Sequence, residues 1–369
     1  MINLREVWSV VRSRVMVFDP TLLTILLLVA FISLVTQYSA AADFPGRFEG
    51  HARNLLVALG VMFVAANISP SLLQRSAVPI YLIGLALLVS VALFGDVSKG
   101  ARRWLSIGMG RIQPSEIMKI AMPLMLAWYF QKREGARRWY DFVIAVIALA
   151  IPTLLIARQP DLGTAILVLG AGAYVIFLAG LQWKIIIGLL AGAAASAPLL
   201  WSVMKDYQKQ RILTLFDPSS DPLGKGFHII QSTIAVGSGG LWGKGWMQGT
   251  QTHLEFIPER TTDFIFAVFA EEFGLMGAAV LMLLYLAFIS RGFVIAASGG
   301  TVFLRLLAGA ISLIFFTYAF VNMGMVTGVL PVVGVPLPFM SYGGTAMVTL
   351  GLGTGILMSV QRHRKLLQS

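Results

Sequence analysis

Long unbroken apolar runs constrain this 369-residue chain more than any other feature. About 20 apolar residues in a helix cross the hydrocarbon core of a bilayer. Ten stretches of that kind are present, near 20–41, 52–70, 77–95, 115–132, 140–157, 162–181, 184–203, 263–290, 303–328 and 341–361. They are continuous rather than alternating, which predicts helices and not barrel strands. Charged residues make up 12% of the chain, against about 25% in water-soluble domains, so this is an integral membrane protein. The expected fold is all-α: one polytopic domain over 1–369 with about ten transmembrane helices. A long extracytoplasmic loop at about 204–262 separates the seventh helix from the eighth, and no soluble catalytic module fits in what remains.

Arg5, Arg12 and Arg14 before the first run, with Ser39-Ala40-Ala41-Ala42 after it, imitate a signal peptide. The run is longer than the usual ~7–15 residues of a signal core, so a retained first span is expected. Lys and Arg in the short loops set the orientation. Fourteen fall on one side: Arg5, Arg12, Arg14, Arg75, Lys132, Arg133, Arg137, Arg138, Lys184, Arg291, Arg305, Arg362, Arg364 and Lys365. Seven fall on the other: Arg47, Arg53, Lys99, Arg102, Arg103, Arg111 and Arg158. Both termini are therefore expected in the cytoplasm and the long loop outside. With no cysteine, the chain has no disulfides, thiolate catalysis or cysteine-ligated metals.

Carboxylates are scarce, 17 Asp and Glu against 28 Lys and Arg, and their places are informative. Pro258-Glu259-Arg260-Thr261-Thr262-Asp263 runs straight into an apolar helix that carries Glu271-Glu272. A carboxylate near hydrocarbon costs about 2.5–3.5 kcal/mol on insertion scales, so it usually faces a cavity or a partner. A helix-capping role for Asp263 is the structural alternative. Four cations on the outer side, Lys99, Arg102, Arg103 and Arg111, run against the charge rule. They suit an anion such as a lipid-linked diphosphate, or else headgroup anchoring by snorkelling. Glu116 and Lys119, three apart after Pro114-Ser115, share a face of the fourth helix and can pair, as scaffold or as site. Asp161 in the turn 158–164 either caps the sixth helix or adds a second outward carboxylate.

The long loop contains Lys225 and the run Gly237-Ser238-Gly239-Gly240-Leu241-Trp242-Gly243-Lys244-Gly245-Trp246. This run departs from a phosphate loop: Ser238 replaces its first glycine and Gly245 its Ser or Thr. It reads instead as a flexible loop whose amides approach phosphates and whose tryptophans stack on sugars, or as an interfacial aromatic belt. The stretch 331–344, ending Pro338-Phe339-Met340-Ser341-Tyr342-Gly343-Gly344, is apolar yet too rich in Pro and Gly for a helix. Non-helical backbone at membrane depth lines protein or a wet cavity. The four histidines have no metal-site spacing. No cofactor is required, though carboxylates and a diphosphate could together hold a hard divalent cation.

In order along the chain, these motifs resemble the SEDS family (shape, elongation, division and sporulation). The carrying residues are 99–104, Gln113-Pro114-Ser115-Glu116 with Lys119, Gln159 to Thr164, Asp217 to Gly226, Gly237 to Gly245, Pro258 to Phe266 with Glu271-Glu272, and Gly334 to Gly344. The resemblance covers essentially the whole chain without departure at these positions. His228 to Ser232 and the short N-terminus are nearer the rod-shape branch than the division branch. It implies a ten-helix glycosyltransferase that polymerises lipid II into peptidoglycan at the outer face of the bacterial cytoplasmic membrane during elongation. The implied partners are a class B penicillin-binding protein, the elongation machinery, and lipid II with undecaprenyl-linked glycan; nucleic acid is not among them. The family's essential acid falls on Asp263 and its charged pair on Glu116 and Lys119. Joining a sugar 4-hydroxyl to an anomeric carbon needs a base and, with a diphosphate leaving group, cations rather than a general acid. Asp263 is the expected base; Arg102, Arg103, Glu116, Lys119, Asp161, Lys225, Lys244, Arg260 and Ser341 are the expected substrate contacts. A lipid-sugar flippase, a non-catalytic scaffold and an O-antigen-ligase-type enzyme are the competing readings.

Overall fold

The computed structural model describes residues 18–98, 101–107, 110–133, 138–159, 161–204, 206–220, 225–254, 256–257 and 259–366. Arg5, Arg12, Arg14, Lys99 and Arg137 lie outside them. Each apolar stretch carries a helix: α1 (Pro20–Ala40), α2 (Arg47–Ala66), α3 (Pro70–Phe94), α4 (Pro114–Lys132), α5 (Trp139–Arg158), α6 (Leu162–Leu178), α7 (Trp183–Val203), and later α11 (Ile265–Ala297), α12 (Val302–Val326) and α13 (Gly344–Leu366). Six of these are long and apolar enough to cross a membrane: α1, α3, α5, α11, α12 and α13.

Local chemistry sets the helix starts. Asp19 caps α1 by accepting from Leu22 N at 2.9 Å, with Pro20 at the first helical position. Its carboxylate also takes a two-pronged contact from Arg291 of α11, at 3.1 and 2.5 Å, which ties the two helices together. α12 is the central helix, with 78% of its apolar window buried, and packs on α11, α6 and α4. α2 lies along α13 because Gly351 and Gly355 leave space for it. A Cβ at either would sit 2.4 Å from the Ala58 or Met62 carbonyl oxygen. Such small-residue faces let helix backbones touch where lipid gives no hydrophobic drive.

Two expectations change. The segment after α3 is not a plain loop but adds a short three-stranded antiparallel sheet to the helical fold: β1 (Asp96–Ser98), β2 (Ala101–Ile107) and β3 (Gly110–Ile112). The first half of β2 pairs with β1, Val97 opposite Arg102, and the second half with β3, Leu105 opposite Ile112. Strand-forming Val, Trp and Ile supply the pattern; it was too short to stand out beside the apolar runs. The segment 204–262 is not an open loop either. It holds α8 (Asp206–Phe216), a 3₁₀ turn (Pro218–Ser220), α9 (Lys225–Ser238) and α10 (Thr250–His253).

The glycine-rich run has a different purpose from the one its composition suggests. α11 breaks at Gly274 (φ 66°, ψ −166°), and residues 240–245 dock into the break. Lys244 N and Gly245 N donate to the carbonyls of Glu271 and Glu272 at 3.0 Å each, and Leu275 N and Met276 N donate to Gly240 and Leu241 at 2.9 and 3.1 Å. Cβ atoms at Gly243 and Gly274 would lie 2.1 and 2.3 Å from backbone atoms of the facing segment. These glycines serve a backbone-on-backbone contact at a helix break rather than a phosphate cradle.

Candidate active site

The turn before α11 brings Asp263 into place. Glu259 adopts a left-handed conformation (φ 54°), uncommon for a non-glycine residue, and its carbonyl accepts from Thr262 N and Thr262 Oγ1 at 3.0 and 3.1 Å. Arg260 is buried beneath the turn. It donates to the Ala40 carbonyl at 3.0 Å and also to the Thr252 carbonyl and Asp43, with its guanidinium stacked over Phe44. The N-cap of α11 is Phe264, with no side-chain cap.

Three successive carbonyls of the turn are each held by a buried side chain from a different element. Gln37 of α1 donates Nε2 to Thr261 O and to Met340 O, both at 2.8 Å. Ser341 donates Oγ to Thr262 O at 2.6 Å and accepts from Leu337 N at 2.7 Å. Asn322 of α12 donates Nδ2 to Asp263 O and to Val335 O, both at 2.8 Å. Tyr342 N adds a bond to Thr261 O at 2.8 Å. The turn and the non-helical stretch 331–343 are thereby stitched into one unit. A buried backbone polar group needs such a partner wherever no helix supplies one.

Asp263 lines a cavity of about 560 Å³ together with Arg103, Glu116, Lys119, Asp161, Gln113, Glu259, Thr262 and Tyr342. A second lobe of about 320 Å³ shares Arg103, Asp161, Glu259, Asp263 and Gly334 with it and adds His228, Phe264, Val332 and Val333. Gly334 (φ 77°) keeps the carboxylate accessible, since a Cβ there would stand 3.3 Å from Asp263 Oδ2. Asp161 caps α6, one of its two expected roles, and also lines the cavity. Oδ1 caps α6 at Thr164 N (3.3 Å), while Oδ2 accepts from Gln113 Nε2 at 3.1 Å and faces Arg103 Nε at 3.9 Å. Glu116 and Lys119 pair at 2.6 Å, and Lys119 Nζ makes a second 2.6 Å bond to Tyr318 Oη of α12. Glu116 Oε2 is buried without a hydrogen-bond partner among the described residues. Glu116 also borders an apolar groove of about 400 Å³ between α3, α4 and α13.

The cavity therefore gathers Asp263, Arg103, Glu116, Lys119 and Asp161 from the expected set. Four others have different surroundings. Arg102 is exposed and outside the cavity lining, since neighbours on a strand point to opposite faces. Lys244 donates to Glu271 Oε1 at 2.8 Å, Arg260 anchors the turn from below, and Ser341 holds Thr262 from behind. Lys225 opens α9, and its side chain lies outside the described residues. Glu271 is a loop anchor: besides Lys244 it accepts from Gln251 N at 2.9 Å and Thr252 Oγ1 at 3.1 Å. Gln37, Asn322 and Tyr318 were not singled out from the sequence. Their signal was present, a polar group deep in an apolar run. Among the described residues no group of three His, Asp or Glu could hold a metal ion by itself.

The FtsW/RodA/SpoVE family model, described as "Cell cycle protein", matches residues 14–366. The chain belongs to this family. The FtsW/RodA/SpoVE relatives include peptidoglycan glycosyltransferase MrdB of Escherichia coli K12, 50% identical over 99% of this chain and 98% of that protein. Stage V sporulation protein E of Bacillus subtilis is 35% identical over 94% and 98%. Among solved structures, a chain of a peptidoglycan synthase complex superimposes with a TM-score of 0.82 at 33% identity, covering 94% of this chain and 98% of that one. The rod shape determining protein RodA of Thermus thermophilus gives 0.71 at 29% identity, covering 94% and 97%. This member of the FtsW/RodA/SpoVE family is thus a helical polytopic membrane protein of the inner membrane.

Proposed function

We propose that the two-lobed cavity beside Asp263 is the polymerising centre of this chain, with Asp263 as its general base. The chain is a peptidoglycan glycosyltransferase, as is its full-length relative at 50% identity. The observation that carries the site assignment is convergence: β2, α4, the start of α6 and the turn before α11 bring Arg103, Glu116, Lys119, Asp161 and Asp263 to one cavity. Its shared border at Glu116 with an apolar groove suits a substrate with a charged head and a lipid tail.

In the proposed reaction the acceptor 4-hydroxyl of lipid II attacks the anomeric carbon of the donor glycan. An O–C bond forms, the bond to the lipid diphosphate breaks, and the hydroxyl proton passes to the Asp263 carboxylate. Arg103 and Lys119 are the cations that stabilise the departing diphosphate. Among the described residues four carboxylates line this cavity against those two cations. One or two of these carboxylates, Glu116, Asp161, Glu259 and Asp263, would hold a magnesium-type ion, which would supply further positive charge for the diphosphate. All ten long helices act as spans in this reading, with both termini cytoplasmic, 204–262 outside and the cavity facing outward, supported by the fourteen-to-seven distribution of short-loop cations. A class B penicillin-binding protein is the proposed partner, supported by the likeness to a chain of a peptidoglycan synthase complex.

The deciding experiment is glycan polymerisation from lipid II by the purified protein with and without that partner. Asp263→Asn is nearly isosteric but takes no proton, so it should bind the partner normally and lose about 10²–10⁴-fold in rate. Substantial polymerisation by this variant removes Asp263 from the chemistry. Lipid II flipping without polymerisation by the wild type favours a transporter.

A further inference from the structure

A second recess lies at the far end of α11 from Asp263. It is a groove of about 440 Å³, within the range of small-molecule sites, between the end of α6, the end of α11 and the start of α12. Leu178, Phe293, Ala296, Val302 and Leu306 give it apolar walls, and Gly309 deepens its floor toward Leu178. Among the described residues Arg305 is its one charged lining residue.

Arg305 differs from the arginine nearest to it along the chain. Arg291 is neutralised by Asp19 at 2.5 Å, whereas Arg305 is exposed and makes no ion pair or side-chain hydrogen bond among the described residues. The first-turn amides of α12 do not explain an anion site here. Leu304 N is capped by Thr301 Oγ1 at 3.3 Å, and Phe303 N donates to Gln131 Oε1 at 2.8 Å. The second contact brings the exposed Lys132 end of α4 to the same end of α12, so a second cation lies near Arg305's end of that helix.

We propose that this groove binds an anionic phospholipid, with the phosphate on the Arg305 guanidinium and an acyl chain along the Phe293–Leu306 wall. A guanidinium recognises a phosphate through two parallel hydrogen bonds, and its position at the mouth of an apolar groove matches an amphiphile rather than a free ion. In the proposed orientation the groove opens to the cytoplasmic leaflet, whose negative surface potential attracts such cations. Neither Arg305 nor Ala297 touches the Asp263 cavity, so lipid occupancy can be varied separately from the polymerising centre.

The test is native mass spectrometry of the full-length protein in detergent, titrated with phosphatidylglycerol or phosphatidylethanolamine of the same chains. Wild type should hold phosphatidylglycerol more tightly. Arg305→Ala should lower that preference about fivefold, the effect of one surface cation, while Arg305→Lys keeps most of it. Ala297→Trp, at an exposed lining position, should fill the groove and weaken both lipids. Unchanged phosphatidylglycerol binding in Arg305→Ala, or an equal fall for both lipids in that variant, overturns the proposal. So does wild-type binding of both lipids by Ala297→Trp.

Discussion

Asn322 lies outside both lobes of the cavity, yet its removal should disable the centre. Its single amide nitrogen holds Asp263 O and Val335 O at 2.8 Å each, and its side chain is buried. Asn322→Ala leaves two carbonyls without that donor, at about 1–3 kcal/mol each. Gln37 and Ser341 still hold Thr261, Thr262 and Met340, so the turn stays docked while its Asp263 end is released. A shift of about 1 Å in a reacting group costs on the order of 10²-fold in rate. Initial rates of glycan synthesis over a range of lipid II concentrations should therefore show kcat down by about that factor. The KM should hardly move, because no cavity wall is lost. Asn322→Asp sharpens the test, since it preserves shape but sets a carboxyl oxygen against two carbonyls. It should be at least as impaired as Ala if donation matters. Wild-type kcat in Asn322→Asp, or a raised KM with kcat intact, refutes the positioning role.

Two further outcomes follow from the geometry. Arg103→Glu should abolish most polymerisation at unchanged protein level, whereas Arg102→Glu, outside the cavity lining, should retain most of it in the same lipid II assay. Equal loss in both would mean that the cations act as a surface patch. Gly243→Ala places a Cβ 2.1 Å from the Glu272 carbonyl at φ 84°, while Gly240→Ala has open space and strain only at φ 57°. Thermal unfolding should report little beyond the ~1–2 kcal/mol of a left-handed residue for the second and a clearly larger loss for the first; matching melting temperatures would contradict the docked-loop reading.

Within the site, three of the acids that line the cavity are legible for a simple reason, and Glu259 is not. An acid near hydrocarbon is expensive, so Glu116, Asp161 and Asp263 stood out one by one. Lys244 and Arg260 carry a different signal. Each is a cation near other motifs, and only the fold shows that Glu271 takes the first while Asp43 and two carbonyls take the second. Arg102 and Arg103 are indistinguishable as neighbours in sequence; strand geometry separates them.

By itself the sequence determined the solvent in which this protein folds and the places of its helices, because helix insertion is a local property of some twenty consecutive residues. It also determined which acids needed explanation. The tertiary structure decided what the glycines between 237 and 245 are for. Gly239 and Gly243 need close approach to α11 beside its break at Gly274, some thirty residues on, and the local run does not contain that partner. It likewise decided that Gln37, Asn322 and Ser341, from three separate parts of the chain, meet at consecutive carbonyls beside Asp263. Hydrogen-bond partners of a non-helical turn are set by distance in space, and that distance exists only once the helices around it have packed.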